Sequence, residues 1–526
     1  MNHRKESFIG GAVALLVSGI VVKLLGALFK IPLTNLIGDS GMGLFSFALQ
    51  FFSLLFVVAA AGLPIAESHL VSESLALGNR RQAQSVVVHA VVVFGVLALL
   101  LSVVLAVFAE PICALFGEAD AAWCLFAIAP AVFFVTIEAA LRGWYQGTGD
   151  MRPTAISQVA EAAGKLTVGL FLARKLLDGG YGIAGAAAGA AIGVTCGELF
   201  AMCYLLWSAR HGIGSALRHP AHCASALPRL FQLMVPVTLG AAVMTVSGFL
   251  DMAILYRRLP AAGFSAADIV AAYGAYSGMA LTLFNLPQAL SNSVSVSVLP
   301  ALSAAHARRN TAQTRRLVLS SIRLTLLVCL PCGAGLFALS GPLLQLLFAS
   351  QPRGVMTAEP LLQLLGIAEP LVGLSTVTTA ILQSFGRPDL TVYSMTAGCT
   401  VKCILSYVVT AQPDINIAGA PLGTLVCYSV MLLVNLACIA HLMHWMPPLG
   451  KAVFRPLAAS CGMASLSYIV YQKLAAAGTH SAALAAVLAA VPVYVVLLCG
   501  LHALEAEDIL PLPGGQRLAR LLKLTS

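Results

Sequence analysis

Gln146-Gly147-Thr148-Gly149-Asp150-Met151-Arg152-Pro153-Thr154 is answered, 237 positions on, by Gln383-Ser384-Phe385-Gly386-Arg387-Pro388-Asp389-Leu390-Thr391. Gln146 meets Gln383, Gly149 meets Gly386, Thr154 meets Thr391, and Lys165 meets Lys402 at the same offset. Outward from this stretch, Ile183-Ala184-Gly185-Ala186 with Gly189 returns as Ile417-Ala418-Gly419-Ala420 with Gly423, 234 positions on. Leu63-Pro64 and Arg80-Arg81 return as Leu299-Pro300 and Arg315-Arg316, at 236 and 235. A near-constant offset kept across helices and loops is the mark of a duplication. In a hydrophobic chain it predicts two similar membrane bundles with a cavity between them.

The chain is hydrophobic enough. Of its 526 residues 59% are apolar and 10% charged, whereas a soluble domain carries about a quarter charged residues. This is the composition of an all-α polytopic membrane protein. The net charge of +9 is not a nucleic-acid footprint, because the basic residues sit in short loops between apolar runs. Thirteen cysteines accompany no metal-ligand spacing and read as small apolar residues. The first apolar run, behind Arg4 and Lys5, continues to Leu36 without a cleavage site and reads as a retained span.

A span needs about 20 mainly apolar residues, and fourteen such segments are expected, beginning near 8, 43, 84, 123, 154, 182, 230, 270, 317, 357, 390, 415, 455 and 482. With the N-terminus inside, twenty lysines and arginines fall on the cytoplasmic side, Arg80, Arg81, Arg142 and Arg152 among them, against seven outside. The positive-inside rule then places both termini in the cytoplasm. Even-numbered copies enter the membrane from one side, so the repeats are parallel. The expected organisation is an N-lobe at 1–208, a cytoplasmic linker at 209–228, a C-lobe at 229–446, and an added helix pair with a basic, amphipathic tail (Arg517, Arg520, Lys523) at 447–526.

Ionisable groups at membrane depth cost roughly 2.5–3.5 kcal/mol each on insertion scales, so each calls for a reason. Gly19, Lys23, Gly26 and Lys30 share one helical face, two cations on a glycine floor. Shifted by 228, that stripe becomes Ser247, Asp251 and Arg258. Lys23 either receives an anion or pairs with Asp251 as a gate. Asn285, Gln288 and Asn292 form an amide face beside Pro287, which predicts a kink; Ser46, Gln50 and Ser53 form a weaker one. Glu161 and Lys165 stand in the favourable i, i+4 order. Lys402 has Gly398 where Lys165 has Glu161, and needs another partner or water. Glu138, Glu198 and Glu369 are unranked ion or proton candidates. Gly185, Gly189, Gly419 and Gly423 have packing spacing. No catalytic constellation, cofactor motif or nucleotide-binding loop is present, so no enzyme and no ATP hydrolysis is expected.

Lys23-Leu24-Leu25-Gly26, Lys30-Ile31-Pro32-Leu33-Thr34 and Gly41-Met42-Gly43-Leu44-Phe45, with Ala61-Gly62-Leu63-Pro64 and Asn285-Leu286-Pro287, resemble the stage V sporulation protein B and polysaccharide-flippase branch of the MOP (MATE-like) superfamily, akin to bacterial lipid II flippases. The resemblance implies two six-helix lobes in a V around a central cavity, with the extra pair forming a groove for a lipid tail. The chain departs from the lipid II flippases at Val22-Lys23, where they carry Ser-Arg, and at Phe29, where they carry arginine. Lysine meets phosphate as a point charge, without arginine's bidentate grip.

The expected function is a bacterial plasma-membrane flippase carrying a polyprenyl-diphosphate-linked saccharide, a cell-wall precursor, to the outer leaflet by alternating access. Lys23, Lys30 and Arg258 would hold the diphosphate, Asn285 and Asn292 the sugar, with Asp251 an ion or gating group and Glu161, Lys165 and Lys402 secondary candidates. The partners are the lipid-linked saccharide, membrane lipid and a coupling cation, H+ or Na+; nucleic acid is not one. The rivals are a drug/cation antiporter on the same fold and a non-transporting scaffold for wall synthesis.

Overall fold

The computed structural model describes residues 2–210, 226–447, 449–477 and 481–501. Most of the expected linker and the whole basic tail at 517–523 lie outside the described residues. Among these the chain is helical, with no β-strand, as lipid requires of a backbone that must satisfy its own polar groups. Among the described residues twelve stretches are long and apolar enough to cross a membrane, against the fourteen expected. The difference has two addresses. The first stretch, Val17–Ala76, takes in two expected spans; its main helix α1 (Asn2–Ala60) is broken at Gly38, where φ is 74° and ψ −178°, a turn that only glycine makes without strain. The other is α6 (Arg152–Asp178), which is long enough but, with Gln158, Glu161 and Lys165 along its middle, falls short in apolarity.

The duplication appears in the caps. Helix α3 (Arg80–Val107) begins at Asn79, whose side chain accepts from Gln82 N; α11 (Thr311–Ala338) begins at Asn310, whose side chain accepts from Gln313 N. Each asparagine also donates to its own glutamine, at 3.0 and 3.4 Å. An eight-residue helix follows each, α4 (Ala109–Phe116) and α12 (Ser340–Leu347). Then α5 (Ala122–Thr148) and α13 (Pro352–Ser384) end on left-handed glycines, Gly149 at φ 84° and Gly386 at φ 74°. In both, the glycine N–H bonds back three residues (3.1 and 3.0 Å) and the next N–H bonds back five (3.1 Å each), the helix-closing motif that needs a positive φ. One matched pair is out of register: the caps align Asn79 with Asn310, so Arg315-Arg316 lies a turn deeper in its helix than Arg80-Arg81 does.

The helices fall into two compact units, 1–278 and 279–526, a division later in the chain than the expected linker. The first holds α1–α7, α2 (Leu63–Ala76) and α7 (Gly182–Ala209) included, with α8 (Ala226–Arg258) and α9 (Ala266–Gly274). Its core packs Leu63, Leu70, Phe94, Val132 and Met234. The second holds α10 (Leu281–Ala307), α11–α13, α14 (Pro388–Val409), α15 (Gly419–Met443), α16 (Leu449–Ala476) and α17 (Ala482–Gly500), around Leu302, Val318, Ile322, Ile381 and Ile439. A π-helical turn at Ala275–Ala280 precedes α10, so the irregularity lies upstream of Pro287, where a kink was expected.

Small residues let α6 and α7 approach closely. A Cβ on Gly189 would stand 2.9 Å from Leu172 and Ala173 backbone, one on Gly193 would run into Gly169, and one on Gly197 would stand 2.6 Å from Glu161 O. In α14 and α15 the seam is looser in kind: Gly423 faces the Ser406 hydroxyl and Lys402, and Gly398 faces Cys427 O at 2.7 Å. Of the predicted packing glycines, Gly189, Gly419 and Gly423 meet a neighbouring helix, whereas Gly185 meets only Tyr181 at the start of its own, and such contacts act through van der Waals packing.

Candidate functional site

The basic stripe of α1 lies beside open space. Nothing stands within 4 Å of where a Cβ on Gly19 or Gly26 would be, and Lys23 between them is exposed. Ser18, one residue from the stripe, instead turns into the unit and bonds to Gln158 of α6 at 3.2 Å. Lys30 is half-buried, and its ammonium donates to Ser277 O at 3.5 Å. That carbonyl belongs to the π-helical turn, whose widened register leaves acceptors within a side chain's reach.

Lys30 feels the charge of Lys165, which places its ammonium over the Phe29 ring at 5.3 Å. Beyond Lys165 three helices bring their charges together. Arg142 of α5 lies 2.6 Å from Glu138 one turn back and 3.0 Å from Glu161 of α6, and its Nε donates to Ser157 at 3.1 Å. Glu198 of α7 joins them, so that carboxylate oxygens of Glu138, Glu161 and Glu198 lie within 4.8 Å of one another. Glu138 is wholly buried, and the Arg142 side chain is 15% exposed. Three carboxylates at this spacing have metal-ligand geometry, but a guanidinium already sits among them and supplies the positive charge. Glu161, expected to pair with Lys165, thus spends its hydrogen bond on Arg142, and Arg142, expected in a loop, is an interior residue of α5.

In α8, Asp251 is buried and Arg258 is half-buried in the last turn. Asp251 stands within electrostatic reach of Tyr273, whose hydroxyl is hydrogen-bonded to Gln50 of α1. Lys23, Lys30, Asp251, Arg258, Glu161 and Lys165 all belong to the first unit.

Asn285 and Asn292 belong to the second unit, both exposed on α10. Between them Ser291 is buried, its hydroxyl 2.9 Å from Cys329 Sγ. Lys402 is buried, 8% exposed, so it does not face water; Tyr428 of α15 is within reach of its charge. Glu369 is wholly buried on α13. A groove of about 830 Å³ runs along α11, α12, α13 and α16, walled by Leu330, Phe337, Pro370, Leu457 and Tyr468, with Gln345, Glu359 and Gln363 among its polar residues. The described cysteines are all free.

The sequence reading missed two groups. Arg142 gave a signal, since Glu138 stands four residues before it on one helix. Asn435 of α15 gave none; it donates to Thr378 and Thr379 hydroxyls at 3.1 and 3.2 Å, partners visible only once α13 and α15 are packed.

A family description of polysaccharide biosynthesis proteins matches residues 8–306, and the MatE family matches residues 259–408. The chain is 25% identical over 520 residues to stage V sporulation protein B of Bacillus subtilis (strain 168), covering 97% of this chain and 98% of that one. It is also 25% identical over 448 residues to the lipid II flippase MurJ of the same organism, covering 80% of each. Among solved structures, a lipid II flippase MurJ in an inward closed conformation superposes with a TM-score of 0.70 at 18% identity, over 93% of this chain and 98% of that one.

Proposed function

Because the chain belongs to the polysaccharide biosynthesis protein family of the MOP superfamily, as a multi-pass membrane transporter homologue and not an enzyme, we propose that it flips a polyprenyl-diphosphate-linked saccharide from the inner to the outer leaflet of a bacterial cell membrane. The observation that carries this reading is the α1 stripe: an exposed Lys23 and a half-buried Lys30 on a glycine floor with open space beside it. A diphosphate compensates buried ammonium charge, and glycines leave room for it. The lysines act as point charges, with Arg258 as a third cation. Asn285 and Asn292, exposed amides on α10, meet the saccharide. The groove on α11–α13 and α16, walled by Leu330, Phe337, Pro370 and Leu457, takes the lipid tail. Six-helix lobes at 1–208 and 229–446 alternate access, with both termini cytoplasmic and Asp251 as the ion-coupling group for H+ or Na+. Lys165 and Lys402, at matching places in the two copies, set the charge behind each lobe, Lys165 beside Glu161.

The MatE match over residues 259–408 favours a second reading, a drug/cation antiporter. Reconstitution into proteoliposomes separates them. Labelled polyprenyl-diphosphate saccharides should cross the bilayer with this protein present, faster under an imposed ion gradient. Transport of lipophilic cations with no precursor flipping supports the antiporter, and no transport of either supports a scaffold for wall synthesis.

A further inference from the structure

A pocket of about 630 Å³ opens in the first unit where the link between α4 and α5 meets the start of α7, the start of α9 and the α1 break; Ser40, Glu118, Asp120, Tyr181 and Val270 line it. Glu118 is 7% exposed. Burial, and then Asp120, push its carboxyl up to about 7, so it exchanges protons with the pocket around neutral pH. Behind it stands Tyr256 of α8, 4% exposed, within electrostatic reach of Glu118 and Cys113. The Tyr256 hydroxyl is buried with no hydrogen-bond partner. Such an orphan calls for an explanation, commonly an ordered water or a proton-transfer role. The Tyr256 ring lies 5.7 Å from that of Tyr273, and Tyr273 is hydrogen-bonded to Gln50 and within electrostatic reach of Asp251. Ser46 and Ser247, one turn from Gln50 and Asp251, likewise carry buried hydroxyls without hydrogen-bond partners. Around this polar thread the wall is aromatic: Phe47 and Phe116 pack edge-on against Tyr256 at 5.4 and 6.2 Å, which keeps bulk water away.

We propose that this pocket is the mouth of a proton path running from Glu118 through the hydroxyls of Tyr256 and Tyr273 to Asp251. The Glu118 carboxylic acid passes its proton to the Tyr256 oxygen while Tyr256 releases its own toward Tyr273. Tyr273 in turn protonates the Asp251 carboxylate, and ordered waters complete the gaps. Both hydroxyls end as they began, and pocket water restores the Glu118 proton, so one proton moves from pocket to Asp251. The charged groups around the mouth are few. Asp120 and the Cys113 thiol act on Glu118 electrostatically, Asp39 of α1 accepts from Ser40 N at 2.8 Å, Asp268 of α9 is engaged with Ser265, and Arg257 and Arg258 follow Tyr256 on α8. The path rests on the reading of Asp251 as the coupling group.

The test has two readouts. Purified protein is treated with dicyclohexylcarbodiimide, which adds to protonated carboxyls, and Glu118 is followed by mass spectrometry. Proteoliposomes then report flipping of a fluorescent polyprenyl-diphosphate saccharide with and without a pH gradient. Glu118 should label with a midpoint near pH 7. The gradient should accelerate the wild type, and Tyr256→Phe and Glu118→Gln should lose that acceleration about tenfold while keeping the gradient-free rate, with Glu118→Asp restoring it. An unchanged gradient response in Tyr256→Phe overturns the path while the flippase reading stands, as does a wild type that flips but ignores the gradient. If the wild type flips nothing, the flippase reading falls and the labelling decides. A midpoint near 7 upholds the mouth, and labelling that is absent or equal at pH 6 and 9 overturns it.

Discussion

The same three-helix corner is built twice, and the two versions differ in charge. In the first, α5, α6 and α7 converge on Arg142, Glu138, Glu161 and Glu198. In the second, the 237-residue offset puts Ser375, Thr379 and Gly398 where Glu138, Arg142 and Glu161 stand. There α15 supplies Asn435, which bonds Thr378 and Thr379. Hydroxyls and one amide thus occupy in one copy the place that four ionisable groups occupy in the other. The ionisable groups of the first corner lie against Lys165 and, through it, Lys30. The short helices repeat the lesson. Helix α4 runs into Gly117-Glu118 at a pocket, whereas α12 runs into Phe348-Ala349 with no acid.

The largest effect should come from breaking the charged corner. Arg142→Ala leaves a wholly buried Glu138 facing Glu161 and Glu198 without a guanidinium, and should cost about 3–5 kcal/mol, read as loss of folded protein in detergent melts. Equal melting of mutant and wild type would mean that the two corners are interchangeable. The glycine seams come next. Gly193→Ala drives a methyl into Gly169 backbone and should cost about 1–3 kcal/mol. Gly423→Ala meets the movable Ser406 hydroxyl, so its melting shift should be the smaller; a larger one would reverse the order of tightness. In the neutral corner, Thr379→Ala removes one acceptor of Asn435 and should cost about 1 kcal/mol, several-fold less than Arg142→Ala.

The contrast between the two short helices should show as a pH dependence. Glu118 has a folded pKa near 7, above its unfolded value, so between about pH 4.5 and 7 the folded state holds more protons than the unfolded one. Stability from this group is therefore present below the unfolded pKa and declines as pH rises to 7. Wild type should melt progressively lower than Glu118→Gln across that window and show a constant gap above it. A constant gap at all pH values would remove Glu118 as a titrating group.

The fold was largely legible because a duplication writes itself into turn glycines and spacings: Gly149 and Gly386 were visible as a pair before their shared cap geometry was. The asparagine caps were equally present in the sequence, but the Arg80-Arg81 match at 235 drew the register away from Asn79 and Asn310. Twelve stretches and fourteen expected spans differ where local rules conflict. Gly38 breaks a continuous apolar run, and α6 buys its place in the bundle through small-residue contacts with α7 rather than through apolarity. The site was legible only along single helices. The α1 stripe follows from a 3.6-residue period, but Arg142 meets Glu161 and Glu198 across three helices, and no linear pattern states such a meeting. Lys402 was expected to need water or a partner; it is buried against α15, beside Gly423, because the glycine leaves space for its stem.

The α1 stripe tests the account most directly. Flipping of a labelled polyprenyl-diphosphate saccharide should be measured in proteoliposomes holding equal amounts of folded wild type, Lys23→Ala and Lys23→Arg. The account predicts that Lys23→Ala abolishes flipping and that Lys23→Arg, which keeps the charge, retains it. Near-normal flipping by Lys23→Ala would contradict the account, because it would mean the diphosphate never rests on that ammonium.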